Sequence, residues 1–143
     1  MKLHENAVLT ADRCRVERDI VVEADPDEVW QALTDEDRLA EWLAPEVELD
    51  PVEGGELSVR DDDGERNGTV ETVEEGERLA FTWDRPEQGP SLVEFTIEAV
   101  PAGTRVVVVE TSLVPGETFA PTASARWGAA LPRLRRSLLL VFA

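Results

Sequence analysis

Residues 29–42 read VWQALTDEDRLAEW and contain two of the four tryptophans in the chain. The Asp-Pro pair at 25–26 supplies an N-cap and a first-turn proline, which predicts a short helix over residues 26–33. Thr34 and the acidic DED begin a second short helix in the same way. Its apolar residues at helical spacing are Leu39, Trp42 and Leu43. Two short helices in succession need a larger surface to pack against.

The sequence on either side supplies that surface. Residues 15–24, RVERDIVVEA, alternate as a half-buried strand does, with Arg18 as the charged exception on the apolar side. From residue 47 to residue 112, short alternating runs are separated by polar turns that contain Gly or Pro. This pattern predicts five or six antiparallel strands joined as hairpins. The clearest runs are GGELSV, GTVETV, RLAFTW, SLVEFTIEAV and TRVVVVETS.

The C-terminal part, from about residue 122, is predicted to form one long amphipathic helix. Its apolar face consists of Trp127, Leu131, Leu134, Leu138 and Val141. Pro132 lies inside this helix and should kink it, break it or remove one backbone hydrogen bond. The whole order predicts an α+β fold, in which a curved antiparallel sheet buries its apolar face against the long helix.

Length and charge limit the functions that are possible. The 143 residues suit a single domain, which we expect over residues 13–143 after a tail at 1–12. The net charge of −17 argues against nucleic acid and anionic membranes as partners. Cys14 is the only cysteine, and no apolar segment has the length of a signal peptide or a membrane span. We therefore expect a soluble cytoplasmic protein, either a monomer or a homodimer.

Side chains suited to catalysis are scarce. His4 is the only histidine and falls in the expected tail, and tyrosine is absent. Histidine-based acid–base catalysis and a histidine metal site are therefore poorly supplied. The acidic run DDDGE at residues 61–65 lacks the ligand spacing of a calcium loop. We predict neither a metal nor a cofactor.

The apolar parity of the strands defines an inward face of the sheet. Its members are Leu57, Val59, Val70, Leu79, Phe81, Trp83, Val93, Phe95, Ile97, Val106 and Val108. Arg18 and Glu110 break the pattern, and a charge at such a position needs a partner. They either satisfy each other, reach water at a cavity mouth, or serve as polar anchors for a ligand.

The order of elements resembles the START-like superfamily, also called SRPBCC or birch-pollen-allergen-like, which has the helix-grip fold. The local motifs resemble its branch named after the activator of the 90-kDa heat-shock protein ATPase. The motifs are VERDIVVEADPDEVWQALTD, EWLAP, GGELSV, NGTVETV, LAFTW, GTRVVVVE and RWGAALPRL, which extend from about residue 16 to residue 139. The branch usually has a glycine before the tryptophan of the last helix, where this chain has Arg126.

The resemblance implies a cavity between the concave face of the sheet and the C-terminal helix. It also implies that the two short helices close one end of the sheet, with Trp30 in the core and Trp42 at the cavity mouth. The first and last strands should be antiparallel neighbours, which predicts that Arg18 and Glu110 are adjacent and paired.

The predicted function is the binding of a hydrophobic or amphipathic small molecule in that cavity. The residues expected to contact it are Arg18, Trp42, Trp83, Phe95, Glu110 and Trp127, of which Trp42, Trp83 and Phe95 would also serve as ordinary core. Two alternatives remain open. One is a cyclase, dehydratase or hydrolase that uses Arg18 and Glu110 as catalytic groups, and the other is a chaperone-associated interaction module.

Overall fold

A computed structural model of the chain describes residues 14–85, 89–114 and 119–141. The predicted tail at 1–12, with His4, lies outside these residues. No helix within them is long and apolar enough to cross a membrane. In chain order the elements are β1 (Arg15–Val22), α1 (Pro26–Thr34), α2 (Glu36–Trp42), β2 (Glu46–Leu49), β3 (Glu56–Asp61), β4 (Gly64–Glu74), β5 (Arg78–Arg85), β6 (Gly89–Val100), β7 (Gly103–Ser112) and α3 (Phe119–Val141). This is the predicted order, with six strands between the helix pair and the last helix.

The strands form one sheet in the order β1-β7-β6-β5-β4-β3-β2, and each neighbouring pair is antiparallel. The pairing of β1 with β7 confirms that the first and last strands are neighbours. A shift of register between Val70 and Thr72 marks a bulge, which bends β4. All the apolar residues predicted for the inward face are buried. The structure therefore confirms the helix-grip α+β fold.

The helix pair begins where the capping residues direct it. The Asp25 carboxylate accepts a hydrogen bond from the Glu28 backbone N–H at 3.0 Å. The second cap is Asp35 rather than the predicted Thr34, and its carboxylate accepts from the Asp37 N–H at 3.0 Å. The Thr34 hydroxyl instead donates to the Trp30 carbonyl within α1. The carboxylate is the stronger acceptor for an N–H at a helix start, so α2 begins one residue later than expected.

The burial of the two tryptophans differs from the prediction, because Trp42 is buried deeply although it also lines a cleft, and Trp30 packs against the core while only partly buried. Trp42 is 1% exposed, its ring lies edge-on to Phe95 at 6.0 Å, and its Nε1–H donates to the Ala32 carbonyl at 2.9 Å. Trp30 is only partly buried. The buried face of α1 is formed by Val29, Ala32 and Leu33, which leaves Trp30 at the side of the helix. Trp42 is thus the residue that fastens α2 to α1 and to the sheet.

The last helix, α3, starts at Phe119, about three residues before the predicted start, and continues through Pro132. Pro132 is exposed and has no N–H to donate to the Gly128 carbonyl four residues earlier. The helix lies against β1 and α2. The predicted face is buried at Trp127, Leu131, Leu134 and Leu138, while the side chain of Val141 lies outside the described part.

Leu134 tests this orientation of α3. It is fully buried, so Leu134→Ala is expected to lower the free energy of unfolding by about 2–5 kcal/mol. Arg136, two residues later in the helix, is exposed, and Arg136→Ala should change the free energy of unfolding by less than about 0.5 kcal/mol. Urea denaturation of the two variants and the wild type measures both effects. Similar small losses in both variants would contradict the packing described.

Candidate functional site

A buried carboxylate, Glu110 of β7, lies at the centre of the polar residues in the core. It is 0% exposed, and its two oxygens accept hydrogen bonds from three neighbouring elements. Oε2 accepts from Trp83 Nε1 at 3.0 Å and from the Ser91 hydroxyl at 2.5 Å. Oε1 accepts from Trp127 Nε1 and from Arg126 Nη1, both at 2.9 Å. Strands β5 and β6 and helix α3 are therefore joined through one side chain.

The charge state of Glu110 follows from this environment. Burial acts to raise the pKa of the Glu110 carboxyl, because water no longer solvates the charge. The positive charge of Arg126 and the hydrogen bonds from Ser91, Trp83 and Trp127 outweigh burial, and the pKa lies below its ordinary value. Glu110 is thus ionised at neutral pH and has no proton to donate as a general acid.

Two guanidinium groups surround this carboxylate. Arg66 of β4 is 6% exposed, lies 4.8 Å from the centre of the Trp83 ring, and forms an ion pair with Asp61. Burial lowers the pKa of Arg66, against the opposing effect of Asp61. The Cζ atom of Arg126 lies 5.8 Å from the centre of the Trp83 ring and 6.0 Å from the centre of the Trp127 ring. The two arginines thus cover the indole rings, as cation–π contacts do.

Sequence reasoning missed Arg66. The predicted strand began at Gly68, whereas β4 begins at Gly64 and includes Arg66. Arg66 shares the parity of Val70, so extending the strand by four residues would have placed it on the inward face. Arg126 appeared only as a departure from the family pattern, and no strand parity could show that it would reach Glu110.

The aromatic residues predicted to contact a ligand contact one another. Trp83 and Trp127 are stacked, with ring centres 6.2 Å apart and planes at 14°. Phe95 lies edge-on to Trp127 at 5.6 Å, and Trp42 lies edge-on to Phe95 at 6.0 Å. These four side chains and Glu110 form one cluster between the sheet and α3. Their contact with a ligand stays a prediction.

Arg18 does not join that cluster, and the predicted Arg18–Glu110 pair is wrong. Arg18 is exposed on β1, where its Nη1 donates to the Ser124 hydroxyl at 3.0 Å. Its guanidinium lies so close to Gly128 that a Cβ there would be 2.8 Å from Nη2. Glu110 is paired with Arg126 instead. In the register of β1 and β7, Arg18 lies opposite Val108 and Glu110 opposite Val16, and α3 supplies Ser124 to the first and Arg126 to the second.

A cleft of about 1190 Å³ lies beside this cluster. We call it the α2–α3 cleft, because its walls are the end of α2 with the following loop, the β3–β4 hairpin, and one face of α3. Its lining residues include Glu41, Trp42, Pro45, Asp61, Asp62, Asp63, Arg66, Thr122, Ala125, Arg126, Ala129 and Arg133. Arg66 and Arg126 therefore line the cleft and also contact Trp83 of the buried cluster.

The ion pair between Glu110 and Arg126 is expected to be strongly coupled. Arg126→Gln should cost about 3–5 kcal/mol of stability, because it removes a bound cation from a buried carboxylate. Adding Glu110→Gln should cost less than the sum of the two single changes, with a coupling of about 1–3 kcal/mol. Arg18→Gln is the matched control and should cost less than about 1 kcal/mol. Additive effects of the two changes in a double-mutant cycle would refute the pair.

The lowered pKa of Glu110 also predicts a pH dependence. In the unfolded chain this group binds a proton near pH 4.3, and in the folded protein only at lower pH. Below about pH 4.3 the unfolded state therefore binds more protons, so the contribution of Glu110 to the free energy of unfolding is lost as the pH falls. The stability difference between the wild type and Glu110→Gln should shrink between pH 6 and pH 3 in urea titrations. A difference that does not vary with pH would contradict this.

The fold is similar to that of several solved proteins. Protein MLL2253 from Mesorhizobium loti is 24% identical with a TM-score of 0.79, over 87% of this chain and 96% of that chain. DynU16, a putative protein in the dynemicin biosynthetic locus, is 28% identical with a TM-score of 0.79, over 87% of this chain and 46% of that chain. The Aha1 dimer from Colwellia psychrerythraea is 21% identical with a TM-score of 0.76, over 87% of this chain and 95% of that chain.

The sequence comparisons identify a family rather than a single relative. No curated protein matches the chain. The sequence profile of the family described as Activator of Hsp90 ATPase homolog 1-like protein matches residues 23–138. This range begins just before α1 and ends within α3, so it includes the helix pair, strands β2 to β7 and the cluster around Glu110. The chain belongs to the family of Activator of Hsp90 ATPase homolog 1-like proteins.

Proposed function

We propose that this domain binds an amphipathic small molecule in the α2–α3 cleft. The observation that carries the proposal is the cleft itself, whose volume of about 1190 Å³ suffices for such a ligand. Small-molecule sites in proteins typically measure about 300–1,000 Å³ and combine apolar walls with a few polar groups. This cleft is not at the place where the sequence led us to expect a cavity. Aromatic side chains occupy the region around Glu110 between the sheet and α3.

The α3 wall of the cleft offers both kinds of contact. Thr122, Ala125 and Ala129 are small, so a ligand can approach the helix closely along this face. Arg126 lies on the same wall and contributes charge and hydrogen-bond donors. The opposite wall contains Pro45 and the edge of the buried Trp42. A molecule with an apolar body and a polar group would match this lining.

Arg126 supplies a second argument. Its Nη1 is bound to Glu110, but its Nη2 is buried and has no hydrogen-bond partner among the described residues. A buried donor without an acceptor costs about 1–3 kcal/mol. A ligand oxygen that reached this nitrogen would remove the cost, which favours a ligand with a hydrogen-bond acceptor.

One similar structure supports a small-molecule role. DynU16, at 28% identity, is a putative protein in a biosynthetic locus. The enzyme alternative depended on Arg18 and Glu110, and these do not form a pair. Glu110 is held as a carboxylate by Arg126 and neighbouring donors, so it is poorly suited to proton transfer. Binding without catalysis is therefore the function that we propose.

Blocking the cleft tests the proposal. Ala129→Phe projects a ring from α3 into the cleft, while Ala99→Phe adds the same ring at an exposed position of β6 outside the cleft. Decanol is a suitable neutral amphiphile, and tryptophan emission or calorimetry reports its binding. We expect Ala129→Phe to weaken binding about tenfold or more, equivalent to at least about 1.4 kcal/mol, and Ala99→Phe to leave it unchanged.

Native mass spectrometry of the freshly purified wild type provides an independent measurement. A bound small molecule should appear as a mass shift that is reduced in Ala129→Phe and retained in Ala99→Phe. Absence of any bound molecule, together with no binding of decanol, would overturn the proposal. Equal binding in both variants would also overturn it, because the ligand would then lie outside the cleft.

A further inference from the structure

The helix that forms one wall of the cleft is basic in an acidic protein. Residues 119–141 contain four arginines and neither aspartate nor glutamate, whereas the whole chain has a net charge of −17. The four are Arg126, Arg133, Arg135 and Arg136. Since most of the chain repels anions, the sites at which α3 presents an unneutralised arginine are the places where an anionic group could bind.

Partners inside the protein distinguish these arginines. Arg126 is neutralised by Glu110, and Arg66 on the opposite side of the cleft by Asp61. Arg135 donates to the Val21 carbonyl, and neither Arg135 nor Arg136 lines the cleft. Arg133 does line it, and no carboxylate of the described residues lies within 4.0 Å of its guanidinium nitrogens.

Arg133 is also held in place. Its Nε–H donates to the Trp42 carbonyl at 3.0 Å, at the end of α2. This bond fixes the plane of the guanidinium and leaves the two terminal nitrogens for other acceptors. A guanidinium presents parallel N–H groups that match the two oxygens of a carboxylate. Arg133 is thus an oriented cation at the edge of the cleft.

The spacing along α3 separates the polar end of the site from its apolar part. Arg126 and Arg133 are seven residues apart, which is about 10 Å along a helix axis. Ala129 lies between them on the same wall, and Ala125 lies one turn before it. A ligand whose charged group is at Arg133 would therefore have its body over these small side chains and an acceptor within reach of Arg126.

The carboxylates of the cleft limit the charge of the ligand. The Oε1 atom of Glu41 lies 3.7 Å from Nε of Arg38, so Arg38 partly neutralises the charge of Glu41. Asp62 and Asp63 are exposed in the β3–β4 turn at the rim. With the net charge of −17, these groups would repel a dianion more strongly than a monoanion. A group with a single negative charge, such as a carboxylate, therefore suits Arg133 against this background.

We infer that the ligand of the α2–α3 cleft is an amphipathic monoanion whose carboxylate is bound by Arg133. This inference rests on the proposed function and adds the chemical class of the ligand. The apolar body lies along Ala125 and Ala129, and the carboxylate accepts from the terminal nitrogens of Arg133.

Matched ligands and matched variants test the inference. Decanoate, decanol and decyl phosphate share an alkyl chain and differ in charge at pH 7.5. We expect the wild type to bind decanoate about tenfold tighter than decanol, and decyl phosphate no tighter than decanoate. Arg133→Gln should abolish the preference for decanoate, while Arg136→Gln should retain it. Naphthalene-2-carboxylate and its alcohol should show the same preference, because Arg133 contacts only the carboxylate.

Two further measurements make the result decisive. Thermal unfolding should show that Arg133→Gln is folded, since the residue is exposed and its loss removes one hydrogen bond. Raising the salt from 50 mM to 500 mM should reduce the preference for decanoate in the wild type relative to Arg133→Gln, because both proteins share the screening of the net negative charge and only the wild type has the attraction of Arg133.

The outcomes separate the inference from the proposed function. If decanol binds in the cleft but decanoate binds no tighter, or if Arg133→Gln and Arg136→Gln behave alike, the inference is wrong and the proposed function stands. Tighter binding of decyl phosphate would also overturn it, because the ligand would not be restricted to a monoanion. If none of the amphiphiles binds, both proposals fail.

Discussion

The buried carboxylate of Glu110 is the constraint on which the centre of this fold depends. An ion taken out of water costs several kcal/mol unless a cation and hydrogen-bond donors replace the solvent. Here those donors come from Trp83 on β5, Ser91 on β6, and Arg126 and Trp127 on α3. Each of these elements must be in place for the carboxylate to be satisfied, so the interaction ties the last helix to the sheet at one defined position.

The position of α3 is fixed more narrowly than apolar packing alone would require. Arg126 and Trp127 are consecutive residues, so they point about 100° apart around the helix, yet both donate to Oε1 of Glu110. A rotation or a slide of the helix would break at least one of these bonds. The stacked rings of Trp83 and Trp127 then complete the same contact. Apolar burial supplies most of the stability, and the polar cluster adds bonds that a shifted or rotated helix would lose.

The sequence predicted the features that depend on one element at a time. Alternation placed Leu79, Phe81 and Val93 on the inward face, and capping chemistry placed the helix pair, because both depend on neighbours along the chain. The family resemblance added that β1 pairs with β7. The failures concern contacts between elements. Parity marked Glu110 as a charge that needs a partner, but it could not identify Arg126, which reaches Glu110 from a helix sixteen residues later.

The same limitation explains why the α2–α3 cleft could not be predicted. Its walls come from the end of α2, the β3–β4 hairpin and one face of α3, and no sequence pattern shows that these three segments face one another. Arg66 and Arg126 stand between the cleft and the buried cluster and contact both. A ligand that binds only the folded protein stabilises it by an amount that grows with ligand concentration. Arg126, whose Nη2 would meet the ligand, also neutralises Glu110, so a group bound there would act on an interaction that holds α3 to the sheet. Affinity and stability are therefore linked at Arg126, whereas Arg133 neutralises no carboxylate of the described residues and can change affinity with little change in stability.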